Sequence, residues 1–302
     1  MVEGSLFGDF TTKSTSFAKR AKFPKFKKKF WDQSAVFTKN AFVFRDGKIT
    51  LAKQKEPLNI KWSRQFTGEP SSLTITKERS GRYYISILVE EEISPLPFVR
   101  KEIGIDLGLS HTISDHEGNK ENPSHFLKNT LKQLKRKQQS LARKRVGSAN
   151  WKKAKKVVGT LFAKIRDRRV DFLHQLSWRL VNENQVIAAE TLNVKGMMKN
   201  RCLAQRIGDA GWGTLLRFLD YKSAWYGRMF VQIDQFFPSS KECSHCGALH
   251  KELRLEERTW QCLQCQTLHD RDVNAARNIL KEGLKKLGVP WGTRDLKPAE
   301  FV

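Results

Sequence analysis

Long apolar runs are missing from this 302-residue chain. No stretch approaches the ~20 consecutive apolar residues needed to span a bilayer, which excludes a membrane-spanning helix. The opening residues MVEGSLFGDFTTKS lack a charged segment followed by an apolar one, so no secretory signal is expected. Cysteine is scarce, with five residues, four of them in two Cys-x-x-Cys pairs. In a reducing compartment such pairs read as metal ligands rather than disulfides, and the chain is expected to be intracellular. Acidic residues are also few, 31 against 56 lysines and arginines, leaving a formal charge of +25. That excess calls for a polyanionic partner, of which nucleic acid is the commonest. An anionic membrane surface would need a basic helix with a wide apolar face, and none is present. No internal repeat is visible. With 39% hydrophobic residues the chain is nonetheless not a disordered one, and its length allows two or three units each with a core.

The first 35 residues are basic and aromatic. KRAKFPKFKKKFW, from Lys19 to Trp31, mixes cations, among them Lys25, Lys27, Lys28 and Lys29, with Phe23, Phe26, Phe30 and Trp31. Cations suit phosphates and flat rings suit exposed bases, so the segment reads as a single-strand or RNA contact strip. It reads equally as a solvated linker whose phenylalanines plug into a neighbouring domain. Residues 36–97 turn to strand patterns: AFVFR and KITLA around an Asp46-Gly47 turn, then NIKWSR, SLTITKE and RYYISILVE. A small antiparallel barrel is expected there.

The SPLP segment at 94–97 marks a boundary, after which KEIGIDLGL reads as a buried strand and HTISD as a second one. Residues 124–145 and 150–183 read as helices joined near Gly147, with Leu161, Ile165, Phe172, Leu176 and Leu180 at helical spacing. Their other faces are dense in cations, including Lys132, Arg136 and Arg143, which would repel one another unless phosphates or acids lie alongside. QVIAAE is a short apolar strand, residues 209–227 a helix, MFVQID a strand, and DVNAARNILKEGLKKL a closing helix; residues 289–302 read as a tail.

Two constellations carry chemistry. Cys243-x2-Cys246 and Cys262-x2-Cys265, fifteen residues apart, have the spacing of a tetrathiolate zinc site. Four sulfurs leave no open position, so such a site is structural; His245, His250 and His269 are not needed as ligands, and Cys202 stands apart. The second constellation is three acids: Asp106 ending IGID, Glu190 ending VIAAE, and Asp272 opening the last helix. Singly, each has an ordinary use: a turn cap, a lysine partner, a helix N-cap. Together, acids at the edges of buried strands are costly unless cations compensate them, and three could hold a pair of Mg²⁺ ions against a phosphodiester.

The run GIDLGL, AETLNVKGMMKN, DAGWGTLLRFLDYKSAWYG, FPSSKECSHCG and HDRDVNAARNIL resembles the TnpB (OrfB) family of insertion sequences, relatives of the type V CRISPR effectors, over roughly residues 17–286. The resemblance implies an α/β plus β architecture. Its parts would be an RNase H-like (RuvC) nuclease domain at 98–238 and 269–288 with an inserted helical hairpin, a zinc ribbon at 239–268, and a partial wedge-type β-barrel at 36–97. It implies a guide RNA, a DNA target, structural zinc, two catalytic Mg²⁺ ions, no membrane, and a cytoplasmic, nucleoid-associated location. By position, Asp106, Glu190 and Asp272 match the three RuvC acids, with Asp270 as the alternative third. Family members usually begin with a barrel strand and a recognition lobe before the PKFKKK-like segment reached here at 24–29, so a short front with impaired targeting is expected. The rival readings are a non-cutting nucleic-acid-binding remnant or regulator, and a guide-independent structure-selective nuclease.

Overall fold

A computed structural model of the chain describes residues 33–122, 126–254 and 256–288. It divides after residue 90 into two units. In the first, alternation of apolar and polar residues gives strands with one inward face. These are β1 (Gln33–Thr38), β2 (Phe42–Arg45), β3 (Lys48–Leu51), β4 (Ser72–Lys77) and β5 (Tyr83–Leu88). β4 lies between β1 and β5, antiparallel to both, while β2 and β3 form a separate hairpin across Asp46-Gly47. Leu73 and Ile75 of β4 meet Phe42, Ile49 and Leu51 in one core. The two sheets share that core without closing into a barrel ladder among the described residues. NIKWSR, expected as a strand, forms none: its side chains anchor it instead, Ile60 in the core and the Trp62 indole donating to the Gly47 carbonyl at 3.1 Å. Conversely, β1 begins inside the expected leader, because Ala35 and Phe37 fall in register with Ile75 and Leu73.

The second unit opens with β6 (Glu102–Asp106), β7 (Ile113–Asp115) and β8 (Lys120–Glu121), then α1 (Phe126–Ala142) and α2 (Ala149–Glu183). After β9 (Val186–Glu190) come α3 (Val194–Met197), α4 (Ala204–Ala210), α5 (Trp212–Trp225), β10 (Met229–Ile233), β11 (Thr259–Gln261), β12 (Leu268–Asp270) and α6 (Arg271–Lys286). The helix expected at 209–227 is split at Gly211, whose φ of +69° ends one helix and starts the next, a conformation L side chains rarely adopt. The SPLP segment belongs to this unit: the Arg228 guanidinium, buried, donates to the carbonyls of Val181 and Pro97 and to the Gln185 side chain.

The main sheet runs β10-β9-β6-β7-β8. β6, β7 and β8 form an antiparallel meander, and β9 and β10 extend it as parallel strands reached through helical crossovers. Both faces are covered, which is why β9 reads as an unbroken apolar run. Ile187 and Ala189 face α2 and α5, while Val186 and Ala188 face α6. α6 seats against β6 because Gly104 has no side chain: a Cβ there would lie 2.2 Å from the Ala276 carbonyl oxygen and 2.6 Å from the Leu280 Cβ. Gly104→Ala should therefore lower stability by ~3 kcal/mol, the upper end of overpacking costs. Chemical denaturation measures this; an unchanged midpoint would mean that α6 does not press on β6.

Candidate metal centres

β6 and β9 are neighbouring parallel strands with Ile105 opposite Ala189, so Asp106 and Glu190 are the next residues in register at the same carboxyl edge. Asp272 sits in the first turn of α6, the helix packed on β6. Local features position each: apolar runs that end in an acid, and a glycine that lets the helix descend. The electrostatics follow. Burial, then the charges of Glu190 and Asp272, push the Asp106 carboxyl up from 3.8 to about 8, against the opposing Arg271 charge and the Leu107 amide. Asp106 thus feels both other acids, and a cation is what would relieve it.

Their other contacts are few. Glu190 Oε1 accepts from the Ser239 hydroxyl. Asp272 Oδ1 faces Arg258 Nη1 at 3.3 Å. Asp270 has a different role: its Oδ1 caps α6, accepting from the amides of Asp272 and Val273, while Oδ2 takes the Lys120 ammonium at 2.7 Å. Burial alone would raise the Asp270 carboxyl, but Lys120 and those amides hold it below the usual carboxylate range. The helix-cap duty open to Asp272 in the sequence thus falls to Asp270, and Asp272 is the one of the pair coupled to Asp106. Among the described residues only four cysteine thiols, and not these acids, have all their donor atoms within 4.8 Å of one another. That spacing is what one shared ion requires. Two ions ~4 Å apart allow wider separation between acids holding different ions.

The raised Asp106 pKa has a measurable sign. A carboxyl that binds its proton more tightly when folded contributes stability fully present below about pH 4 and lost as pH rises toward about 8. In Mg²⁺-free buffer the melting temperature should fall over that window relative to Asp106→Asn, whose amide cannot ionise. Parallel curves for the two proteins would contradict this coupling.

The cysteines occupy two matching turns. Cys243 N donates to Ala248 O and Gly247 N to Cys243 O; in the second turn Cys262 N donates to Thr267 O and Gln266 N to Cys262 O. Gly247 and Gln266 take equivalent left-handed positions. Sγ of Cys243 lies 3.6 Å from that of Cys265, and Sγ of Cys246 lies 3.6 Å from that of Cys262. A tetrahedral zinc with bonds of ~2.3 Å sets sulfurs about 3.8 Å apart, so the set fits. Burial holds the Cys243 thiol up at about 12, whereas Thr267 brings Cys265 down to about 6. His269, buried, places Nε2 3.0 Å from Cys243 Sγ, a contact with a ligand rather than a fifth ligand.

Residues 85–201 match a family described as "Probable transposase" (OrfB_IS605), and residues 212–279 match "Cas12f1-like, TNB domain". A "Putative RNA-guided DNA endonuclease" of Streptomyces pristinaespiralis is 47% identical over 272 residues, covering 89% of this chain and 67% of that protein. The chain belongs to the TnpB (OrfB) family. InsQ of Escherichia coli K12, with the same description, is 29% identical over 88% of this chain and 70% of its own length. A solved CRISPR-Cas12f ternary complex is 18% identical and overlaps 70% of this chain and 45% of its own at a TM-score of 0.47, too loose to argue from.

In this TnpB-family chain the remaining expected residues lie apart from the acids in sequence. Lys132, Arg136 and Arg143 are exposed on and just beyond α1. Arg136 and Arg143 line one open groove with Lys144, and Lys137, Lys144 and Lys153 line another between α1 and α2. Lys25, Lys27, Lys28 and Lys29 lie outside the described residues. Ser239 and the buried Asn274 and Asn278 escaped the sequence reading. The asparagines stand four apart on α6, and that spacing on one helical face was the available signal; Ser239 offered none.

Proposed function

We infer that the chain is a transposon-encoded, RNA-guided DNA endonuclease whose cutting centre is formed by Asp106, Glu190 and Asp272. The observation that carries this reading is the meeting of acids at the adjacent ends of β6 and β9 and in the first turn of α6, where the charges of Glu190 and Asp272 add to burial in pushing Asp106 up to about 8. The mixed sheet with acids at adjacent strand ends supports an RNase H-like, RuvC-type domain at 98–238 and 269–288, with the 239–268 cysteine module as a zinc ribbon and a wedge-like β domain upstream. The donors are all carboxylate oxygens, the hard set that suits Mg²⁺. Bound there, two such ions would activate water and stabilise the attacking and leaving oxygens of an in-line displacement.

The protein's own part is positional. Asp106, which feels both other acids, would help hold both ions, and Glu190 and Asp272 would each hold one. Seating α6 on β6 fixes the Asp272 backbone, and the covered sheet faces limit the water around Asp106. The exposed cations of α1 and α2 grip nucleic-acid backbones, while pairing with a guide RNA supplies sequence choice. Among the described residues no helix is long and apolar enough to cross a membrane. The reading places the protein in the cytoplasm, on DNA.

The test is purified protein with its co-purifying RNA, Mg²⁺ and a plasmid complementary to that RNA. Linear product only when RNA and Mg²⁺ are both present is the expected result. Equal cutting after ribonuclease treatment would mean a guide-independent nuclease. Plasmid binding without cutting would mean a non-cutting relative.

A further inference from the structure

The loop from Phe237 to Ser244 connects the acid site to the cysteine centre and is bonded to both α6 and Glu190. Ser239, 4% exposed, turns its hydroxyl onto Glu190 Oε1. Its carbonyl oxygen accepts from Asn278 Nδ2 at 2.8 Å and Asn274 Nδ2 at 3.4 Å. The same two amides reach the Glu242 carbonyl at 2.6 and 2.7 Å. Each side-chain amide has two hydrogens and each carbonyl two lone pairs, so all four donors and all four acceptor sites are used. Asn274 Oδ1 also takes the Ser244 amide at 2.9 Å. Cys243 lies between Glu242 and Ser244, and both asparagines lie on α6 shortly beyond Asp272.

A glutamate at a strand end has three rotatable side-chain bonds and can swing away from a metal. One hydroxyl on Oε1 selects a rotamer and leaves Oε2 for a cation. Ser239 can do this only while its own backbone is fixed, and the asparagine pair fixes it from the helix that carries Asp272. We propose that Ser239 is the positioning residue for Glu190, held in place by the Asn274–Asn278 clamp. This rests on the reading of Glu190 as a metal-binding acid.

The experiment titrates Mn²⁺ into the 302-residue chain with its co-purifying RNA, following free Mn²⁺ by electron paramagnetic resonance. It compares wild type, Ser239→Ala, Ser239→Thr and Glu190→Gln, with melting temperature and RNA affinity measured alongside. Ser239→Ala should weaken Mn²⁺ binding by ~10–100-fold, as loss of a partner to a metal ligand does, and raise the Mg²⁺ needed for half-maximal cutting by a similar factor. Melting temperature and RNA affinity should stay near wild type, and Ser239→Thr, which keeps the hydroxyl, should recover Mn²⁺ binding. Wild-type Mn²⁺ affinity in Ser239→Ala overturns the proposal. So does a loss that follows the melting temperature in both Ser239 variants, which marks a merely structural residue. If Glu190→Gln itself binds Mn²⁺ and cuts as wild type does, the acid-site reading fails, an outcome separate from either result at Ser239.

Discussion

Asp106→Asn should reduce cleavage by at least ~10³-fold while leaving RNA affinity within about twofold of wild type. The size follows from what a metal centre supplies, several kcal/mol of transition-state charge stabilisation, with each 1.36 kcal/mol worth tenfold in rate. The carboxylate and the amide have nearly the same shape, so packing at the end of β6 is preserved. The amide removes the charge that Glu190 and Asp272 oppose, so the metal-free variant should also be more stable than wild type near pH 8. A single-turnover assay on plasmid, paired with filter binding of the RNA, separates the alternatives. Loss of RNA binding along with cutting would show that Asp106 holds the fold rather than the chemistry.

The second large effect is at the cysteines. Zinc bound by small tetrathiolate modules contributes ~10–16 kcal/mol of apparent binding energy, which becomes folding energy where the core is small. The core here is small: Leu253 and Trp260 are the buried residues beside Cys243 and Cys262. Removing zinc, or Cys262→Ser, should open residues 239–268 to proteolysis and abolish cutting. The loss should spread to the acids because Asn274 and Asn278 bond the turn that precedes Cys243, and Arg258 of the same module faces Asp272. Limited proteolysis with mass mapping, run beside the cleavage assay, measures both consequences. A zinc-free protein, verified by metal analysis, that still cut at the wild-type rate would show the module to be dispensable.

Some of this was legible in the sequence because the relevant signals are local. β6 and β9 announce themselves as apolar runs ended by an acid, since a strand covered on both faces has little use for polar residues. The paired cysteines and the long α2 are equally local patterns. What was hidden depends on partners far along the chain. β1 straddles the expected end of the basic leader at residue 35, and only its register with β4 shows which residues face inward. NIKWSR alternates like a strand yet has no ladder partner. The pairing of Asp270 depends on Lys120, 150 residues away. Ser239 meets Glu190 across 49 residues, and no spacing rule signals that contact.

The most direct measurement is anomalous diffraction from a crystal of the 302-residue chain soaked in Mn²⁺. Two peaks ~4 Å apart are expected, enclosed by the side chains of Asp106, Glu190 and Asp272, and both should disappear in Asp106→Asn. Peaks confined to other surfaces, or a pair that survives that substitution unchanged, would contradict this placement.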